Sequence, residues 1–136
     1  MRRFTKRLLL CGMLAATLLT LTVSAERQTF DLTQIPEHGS STTARYNPKD
    51  DNEGKAYVHT TSATVVSGTT LMQAWVVDAS GSMVAEKATL PYKGLANPVY
   101  HGGKNITGSL YKLRISYSAI TSRAPDRGEA HGYWYS

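Results

Sequence analysis

The chain is 136 residues long, 41% hydrophobic and 18% charged, with 15 Lys and Arg against 10 Asp and Glu. One domain with a single core is what that length holds. Its one cysteine, Cys11, excludes an internal disulfide framework.

Met1-Arg2-Arg3-Phe4-Thr5-Lys6-Arg7 opens the chain with four positive charges and no acid. A weakly polar run from Leu8 to Val23 follows and closes on Val23-Ser24-Ala25. A charged start, an apolar middle and a small-residue end form a secretory signal, with cleavage expected between Ala25 and Glu26. At 16 residues, Leu8 to Val23 is shorter than the roughly 20 that span a bilayer as a helix. The membrane is therefore met only through the signal, before cleavage. Cys11 sits near the start of the apolar run rather than at its end, where a lipid-accepting cysteine belongs, and Arg2-Arg3 lacks the residue order of twin-arginine export.

Arg2, Arg3, Lys6 and Arg7 leave with the signal, so residues 26–136 hold 11 bases against 10 acids. The field needed to recruit nucleic acid is absent from that part. It also has no cysteine, and must fold on burial alone, on a metal or by association.

Residues 26–54 carry Pro36, Gly39, Pro48, Asp50, Asp51, Asn52 and Gly54, and read as a flexible or edge-strand lead-in, with short strands at Gln28 to Leu32 and Ser41 to Tyr46. Residues 55–136 read as the β domain. Lys55 to Val66 is dense in Thr, Val, Tyr and Ala. After the turn signal Ser67-Gly68, Thr70 to Val77 is apolar at both parities, which suits a strand covered on both faces. A turn at Asp78-Ala79-Ser80-Gly81 leads to a third strand, Ser82 to Leu90, and the short spacings predict an antiparallel meander. Lys93 to Asn105 is a loop. Tyr111, Leu113, Ile115, Tyr117 and Ala119 then alternate with Lys112, Arg114, Ser116 and Ser118, a strand with one dry and one wet face. Ser122 to Gly128 is a turn and Ala130 to Tyr135 a closing strand. The pattern predicts an all-β fold, an antiparallel β-sandwich or small barrel of five to seven strands, preceded by a helical signal peptide over residues 1–25.

Few motifs carry chemistry. Asp78-Ala79-Ser80-Gly81-Ser82 after an apolar strand resembles the metal-ion-dependent adhesion motif of von Willebrand A domains. There one carboxylate and two hydroxyls help hold a hard cation, so Asp78, Ser80 and Ser82 are candidate ligands for calcium or magnesium. The same residues also form a good tight turn. No other cofactor is implied. His101-Gly102-Gly103 resembles an esterase oxyanion loop but has no Gly-x-Ser-x-Gly nucleophile elbow, and Gly103-Lys104 lacks the rest of a phosphate loop. His38, His59, His101 and His131 are scattered, without metal-ligand spacing. Asp50-Asp51-Asn52-Glu53 lacks the spacing of an EF-hand, and Asn105-Ile106-Thr107 is a glycosylation sequon for a eukaryotic secretory route.

The aromatic residues say more. All eight tyrosines and both tryptophans fall after residue 25, and His131-Gly132-Tyr133-Trp134-Tyr135 closes the chain. On a strand Tyr133 and Tyr135 point one way and Trp134 the other, so the three are candidate binding residues on whichever face stays exposed. Trp134 would otherwise enter the core.

The order of features is similar to that of small exported proteins of Gram-positive bacteria classed as domains of unknown function. It rests on the signal, the Tyr/Ser/Thr-rich β domain with Gln73-Ala74-Trp75-Val76-Val77 at its centre, and the ending Gly132-Tyr133-Trp134. Tyr57 to Val66, with His59 and Ser62-Ala63-Thr64-Val65-Val66, resembles a stretch of lactococcin-972-type bacteriocins. The first resemblance implies a secreted β-sandwich without an assigned activity; the second implies a secreted toxin. With no catalytic set in view, the chain reads as a non-enzymatic secreted or cell-surface-associated domain. It would act by binding a protein or a cell-surface glycan, the alternatives being a bacteriocin-like toxin and a divalent-metal-dependent adhesion module.

Overall fold

The computed structural model describes residues 26–136. The expected export signal, with Cys11 and the Ala25 side of its cleavage point, lies outside the described residues. Among those described there is no helix, and nine strands form two antiparallel sheets. The strands are β1 (Gln28–Pro36), β2 (Gly39–Thr42), β3 (Asn47–Pro48), β4 (Tyr57–Ala63), β5 (Thr70–Val77), β6 (Ala88–Thr89), β7 (Gly94–Ala96), β8 (Leu110–Ala119) and β9 (Arg127–Tyr135). Sheet A has the order β1-β9-β4-β7; sheet B has the order β2-β8-β5-β6, with β3 paired to β8. The strand count exceeds the expected five to seven because β3, β6 and β7 are only two or three residues long.

Alternation on β8 is as the sequence spells it: Leu113, Ile115 and Tyr117 are fully buried, and Lys112, Arg114 and Ser116 face out. On β9, Ala130 and Trp134 are fully buried while His131, Tyr133 and Tyr135 are not. Both sheets feed one core, Phe30, Val58, Ala130 and Trp134 from sheet A meeting Met72, Val76, Leu113, Ile115 and Tyr117 from sheet B.

Residues 26–54 are part of that core. β1 closes one edge of sheet A and β2 one edge of sheet B. Phe30 and Ile35 both enter the cluster although their parities differ. A bulge between Leu32 and Ile35, with Gln34 at φ 60°, resets the alternation so that Ile35 turns inward. No boundary falls between 54 and 55, because strands from both sides of it share the same interior.

The meander is corrected. β4 and β5 lie in different sheets rather than side by side. The connection is longer than a tight hairpin, and Thr70 holds it, accepting from the Val66 N–H (2.7 Å) and donating to the Thr64 carbonyl (2.9 Å). The expected third strand, Ser82 to Leu90, survives as two isolated bridges, Val77 to Met83 and Ala85 to Tyr100, and as β6. The expected loop from Lys93 to Asn105 contains β7, which pairs with β4.

Two glycines fix how closely the elements approach. A Cβ on Gly128 would stand 2.5–2.8 Å from three side-chain atoms of the buried Tyr117, which crosses over from sheet B. A Cβ on Gly132 would stand 1.9 Å from the His59 carbonyl oxygen, where β4 carries its own bulge between Thr60 and Ser62. Backbone cannot yield as a flexible side chain does. Gly132→Ala and Gly128→Ala are therefore each expected to destabilise the fold by about 2 kcal/mol or more, read as a lowered urea midpoint. Gly54→Ala, with nothing within 4 Å of its added carbon, is expected to stay within about 0.5 kcal/mol of the parent.

Candidate binding face

The outer surface of sheet A carries the closing aromatic residues. β9 pairs with β4 so that His59 lies opposite Tyr133 and Tyr57 opposite Tyr135. His59 and Tyr133 stack, with centroids 4.7 Å apart and planes at 16°. Tyr135 meets Tyr133 edge-on at 6.0 Å. From the start of β1, the Arg27 guanidinium lies 4.0 Å from the Tyr133 ring centre. Beyond His59, Leu95 of β7 extends the row to the far edge and is 47% exposed. All four rings are half-buried, held by neighbours yet open to solvent.

Polar groups frame this row. Tyr57 donates a hydrogen bond to Glu53, which pushes its phenol above the ordinary range. Lys55 lies 5.3 Å over the same ring. Next along the strands, His131 Nδ1 is 2.6 Å from Asp31 Oδ1, and its Nε2 is 3.6 Å from Glu129 Oε2. Trp134 behaves differently from its two neighbours. It is 0% exposed, so its indole is withdrawn from the surface and builds the core beneath the row.

Of the four histidines, the fold brings His59 and His131 to this face; His38 stands in the β1–β2 connection at φ 55°, and His101 in the loop before β8. Tyr57 and His59 had a sequence signal, since they alternate with the apolar Val58 in the manner of Tyr133 and Tyr135 around Trp134. What the sequence does not show is that β4 and β9 are neighbours, being more than sixty residues apart.

The Asp78 motif forms a self-bonded turn. Asp78 Oδ1 accepts from the Ser80 N–H (2.9 Å), the Ser80 hydroxyl (2.6 Å) and the Ser82 N–H (3.0 Å). Ser80 and Ser82 hydroxyls also bond one another at 3.0 Å. The Ser80 bond above all holds the carboxyl below its ordinary value, with Lys104 adding to it. A cation entering here would compete with the turn's own donors for Oδ1. Among the described residues, no three His, Cys, Asp or Glu side chains stand together in a metal-holding group. A cavity of about 510 Å³ opens beside the turn, walled by Asp78, Ser80, Lys104, Ile106, Leu110 and Tyr111.

Compared with protein-family models, curated proteins and solved structures, the chain has no match.

Beneath one end of the sheets lies a charge that the sequence conceals. The Lys49 side chain is fully buried, its ammonium 2.7 Å from Asp51 Oδ1 and 4.9 Å from the Tyr100 ring centre. Burial also pushes the Tyr100 phenol upward. For Asp51, partial burial works to raise the carboxyl. The Lys49 hydrogen bond, the Glu53 N–H and the Lys49 charge outweigh it and hold the group below its ordinary 3.8. A depressed carboxylate stabilises the fold above the unfolded value and ceases to do so as pH falls through the folded one. The loss is therefore confined to pH below about 4. Breaking a buried pair leaves one charge stranded, whereas replacing the buried partner by an apolar side chain removes the problem. Asp51→Asn is expected to cost about 1–3 kcal/mol, less than a fully buried pair because the Asp51 side chain is 43% exposed. Lys49→Met is expected to be neutral or stabilising, and to abolish the cost of Asp51→Asn in the double variant, measured by urea unfolding at pH 7.

Proposed function

We propose that this chain is a secreted or cell-surface-associated β-sandwich domain that acts by binding, with the outer face of sheet A as its contact surface and a cell-surface glycan as its target. The observation that carries this reading is the ordered aromatic row Tyr57, His59, Tyr133 and Tyr135. Its rings are already held by stacking and by cross-strand neighbours. A partner therefore meets apolar area whose rotamers need little further ordering, which is where much binding energy is otherwise lost. Rings present apolar area to the C–H faces of a sugar, and tyrosine hydroxyls reach its hydroxyl groups. Asp31, Glu53, His131 and Lys55 line the same face and supply further hydrogen-bonding groups around it. Leu95 and Val99, the latter beside Tyr57, Glu53 and Lys55, are the large aliphatics of this face, one against the row and one at its end, so the face is mixed aromatic and polar rather than greasy. That balance favours a glycan over the apolar centre of a protein interface.

The export signal read from residues 1–25 supports the location: a domain with no cysteine after residue 25 is indifferent to the redox state outside the cell. Mature protein is expected to co-sediment with purified cell-wall glycan. Tyr57→Ala/Tyr133→Ala is expected to weaken that binding at least tenfold, while Tyr92→Ala, an exposed tyrosine elsewhere, leaves it unchanged. Absence of binding by the folded parent protein would sink the reading. Growth inhibition of Gram-positive strains that persists in the double variant would favour the toxin instead.

A further inference from the structure

Sheet B presents a different surface. Across its outer face runs a row made by Thr42 of β2, Arg114 of β8 and Trp75 of β5, with Lys87, just before β6, beyond them. Lys112 lies two residues from Arg114 on the same side of β8, opposite Val77. What holds these three cations is unusual. The Lys87 ammonium sits 4.5 Å from the centre of the Trp75 ring, and the Lys112 ammonium 4.3 Å from that of Tyr46. Arg114 Nε donates to the Thr42 hydroxyl at 2.8 Å. Among the described residues, none of the three makes an ion pair; the pairs that exist involve Lys49, His38 and His131. Each cation is thus positioned by a neutral group and keeps its charge.

We infer that this face is a docking surface for a linear phosphodiester polymer of the cell exterior. Strand geometry fixes the spacing of the charges. Attachment points two residues apart on β8 are about 7 Å apart, and those of Arg114 and Lys87, on either side of β5, about 10 Å apart. A single small anion cannot engage all three at that separation, whereas a chain with one negative charge per repeat can. Beside Lys112 and Arg114, with Lys87 outside it, lies a trough of about 310 Å³ lined by those two cations and by Thr42, Tyr46, Val77 and Asp78. Asp78 is the one acid in that lining, and its Oδ1 already accepts three hydrogen bonds from its own turn. Glu86 precedes Lys87 in the chain and makes no ion pair with it. Trp75 offers the bases of a nucleic acid no stacking platform, being only 7% exposed, and Tyr46, 39% exposed, carries the Lys112 ammonium over one face of its ring, so no run of rings is open to successive bases. The polymer is therefore one whose repeats are small and aliphatic.

Soluble poly(glycerol phosphate) tests this, titrated against the mature protein at low and moderate salt. Binding is expected, with log affinity falling against log salt at a slope of about −2 for three contacts. Lys87→Gln/Lys112→Gln/Arg114→Gln is expected to lose at least tenfold in affinity and most of that slope, while Lys93→Gln changes neither. Circular dichroism checks whether the triple variant is folded. If it is not, Lys112→Gln alone carries the test, with an expected loss of about threefold. No binding to the folded parent protein, an unaltered affinity in the variants, or equal affinity for polygalacturonate or oligothymidylate would each overturn the inference. Tyr57→Ala/Tyr133→Ala alters sheet A alone and is expected to leave this binding intact, so the two faces fail or succeed separately.

Discussion

The approach of β9 to β4 at Gly132 is the contact on which the outer face of sheet A depends. There the His59 carbonyl oxygen occupies the space in which a Cβ would lie. One residue further along β9, on the opposite face, Tyr133 stacks on the His59 ring. One residue beyond that, Trp134 drops fully buried into the core. Three consecutive residues thus do three jobs, and period-two alternation is what allows it. The bare backbone brings the strands close, the tyrosine turns that closeness into an aromatic stack, and the tryptophan anchors the strand that carries both.

Without disulfides among residues 26–136, the two sheets are locked together by burial and by a few crossings of the interface. Tyr117 is the clearest. It rises from sheet B, lays its ring on the backbone of Gly128 in sheet A, and donates its hydroxyl proton to the Pro125 carbonyl. Lys49 contributes in another manner. A fully buried ammonium is tolerated because Asp51 sits at the rim, where its carboxylate stays partly solvated and reaches in to 2.7 Å. The pair therefore avoids the full desolvation cost of two interior charges. It also ties down the acidic loop, since Asp51 Oδ1 accepts from the Glu53 N–H and the Asp51 carbonyl accepts from the Thr107 hydroxyl.

How much of this was legible follows from the range of each interaction. β8 and β9 declare themselves because alternation is a property of adjacent residues, and both strands are long enough to show it. β5 declares itself through its unbroken apolar run, explained now by Met72, Ala74 and Val76 facing the core while Trp75 and Val77 lie beneath Lys87 and the Asp78 turn. β7 was invisible and β6 was legible only as part of a longer strand: two or three residues carry no period, and their pairing is set by the partner strand. The lead-in, read as flexible or edge-strand, forms the edge strands β1 and β2, and its share in the core was hidden because the bulge at Gln34 scrambles the alternation and puts Phe30 and Ile35 out of phase. As for the candidate sites, Tyr133 and Tyr135 could be named from parity. Tyr57 and His59 show the same parity around Val58, but their pairing with Tyr133 and Tyr135 could not be read, because strand neighbours distant in the chain leave no local trace. Lys49 resembles any other lysine in a polar loop until Tyr100 and Asp51 close around it.

The near-balance of 11 bases and 10 acids over residues 26–136 hides an uneven distribution of free charge. On sheet A, Asp31 and Glu129 flank His131, and an arginine rests on a tyrosine. On sheet B, three cations are fixed by a tryptophan, a tyrosine and a threonine. An aromatic ring orients a cation through its quadrupole without cancelling the charge, as a carboxylate would. Nearly neutral domains cannot draw a partner from afar. Under physiological salt the field of each cation fades over about 8 Å, close to the separation of these cations along their strand. A surface built this way distinguishes partners only at contact, by whether the spacing of their charges matches its own. Rigid placement of the cations on a sheet then matters more than their number, and the neutral anchors are what supply it.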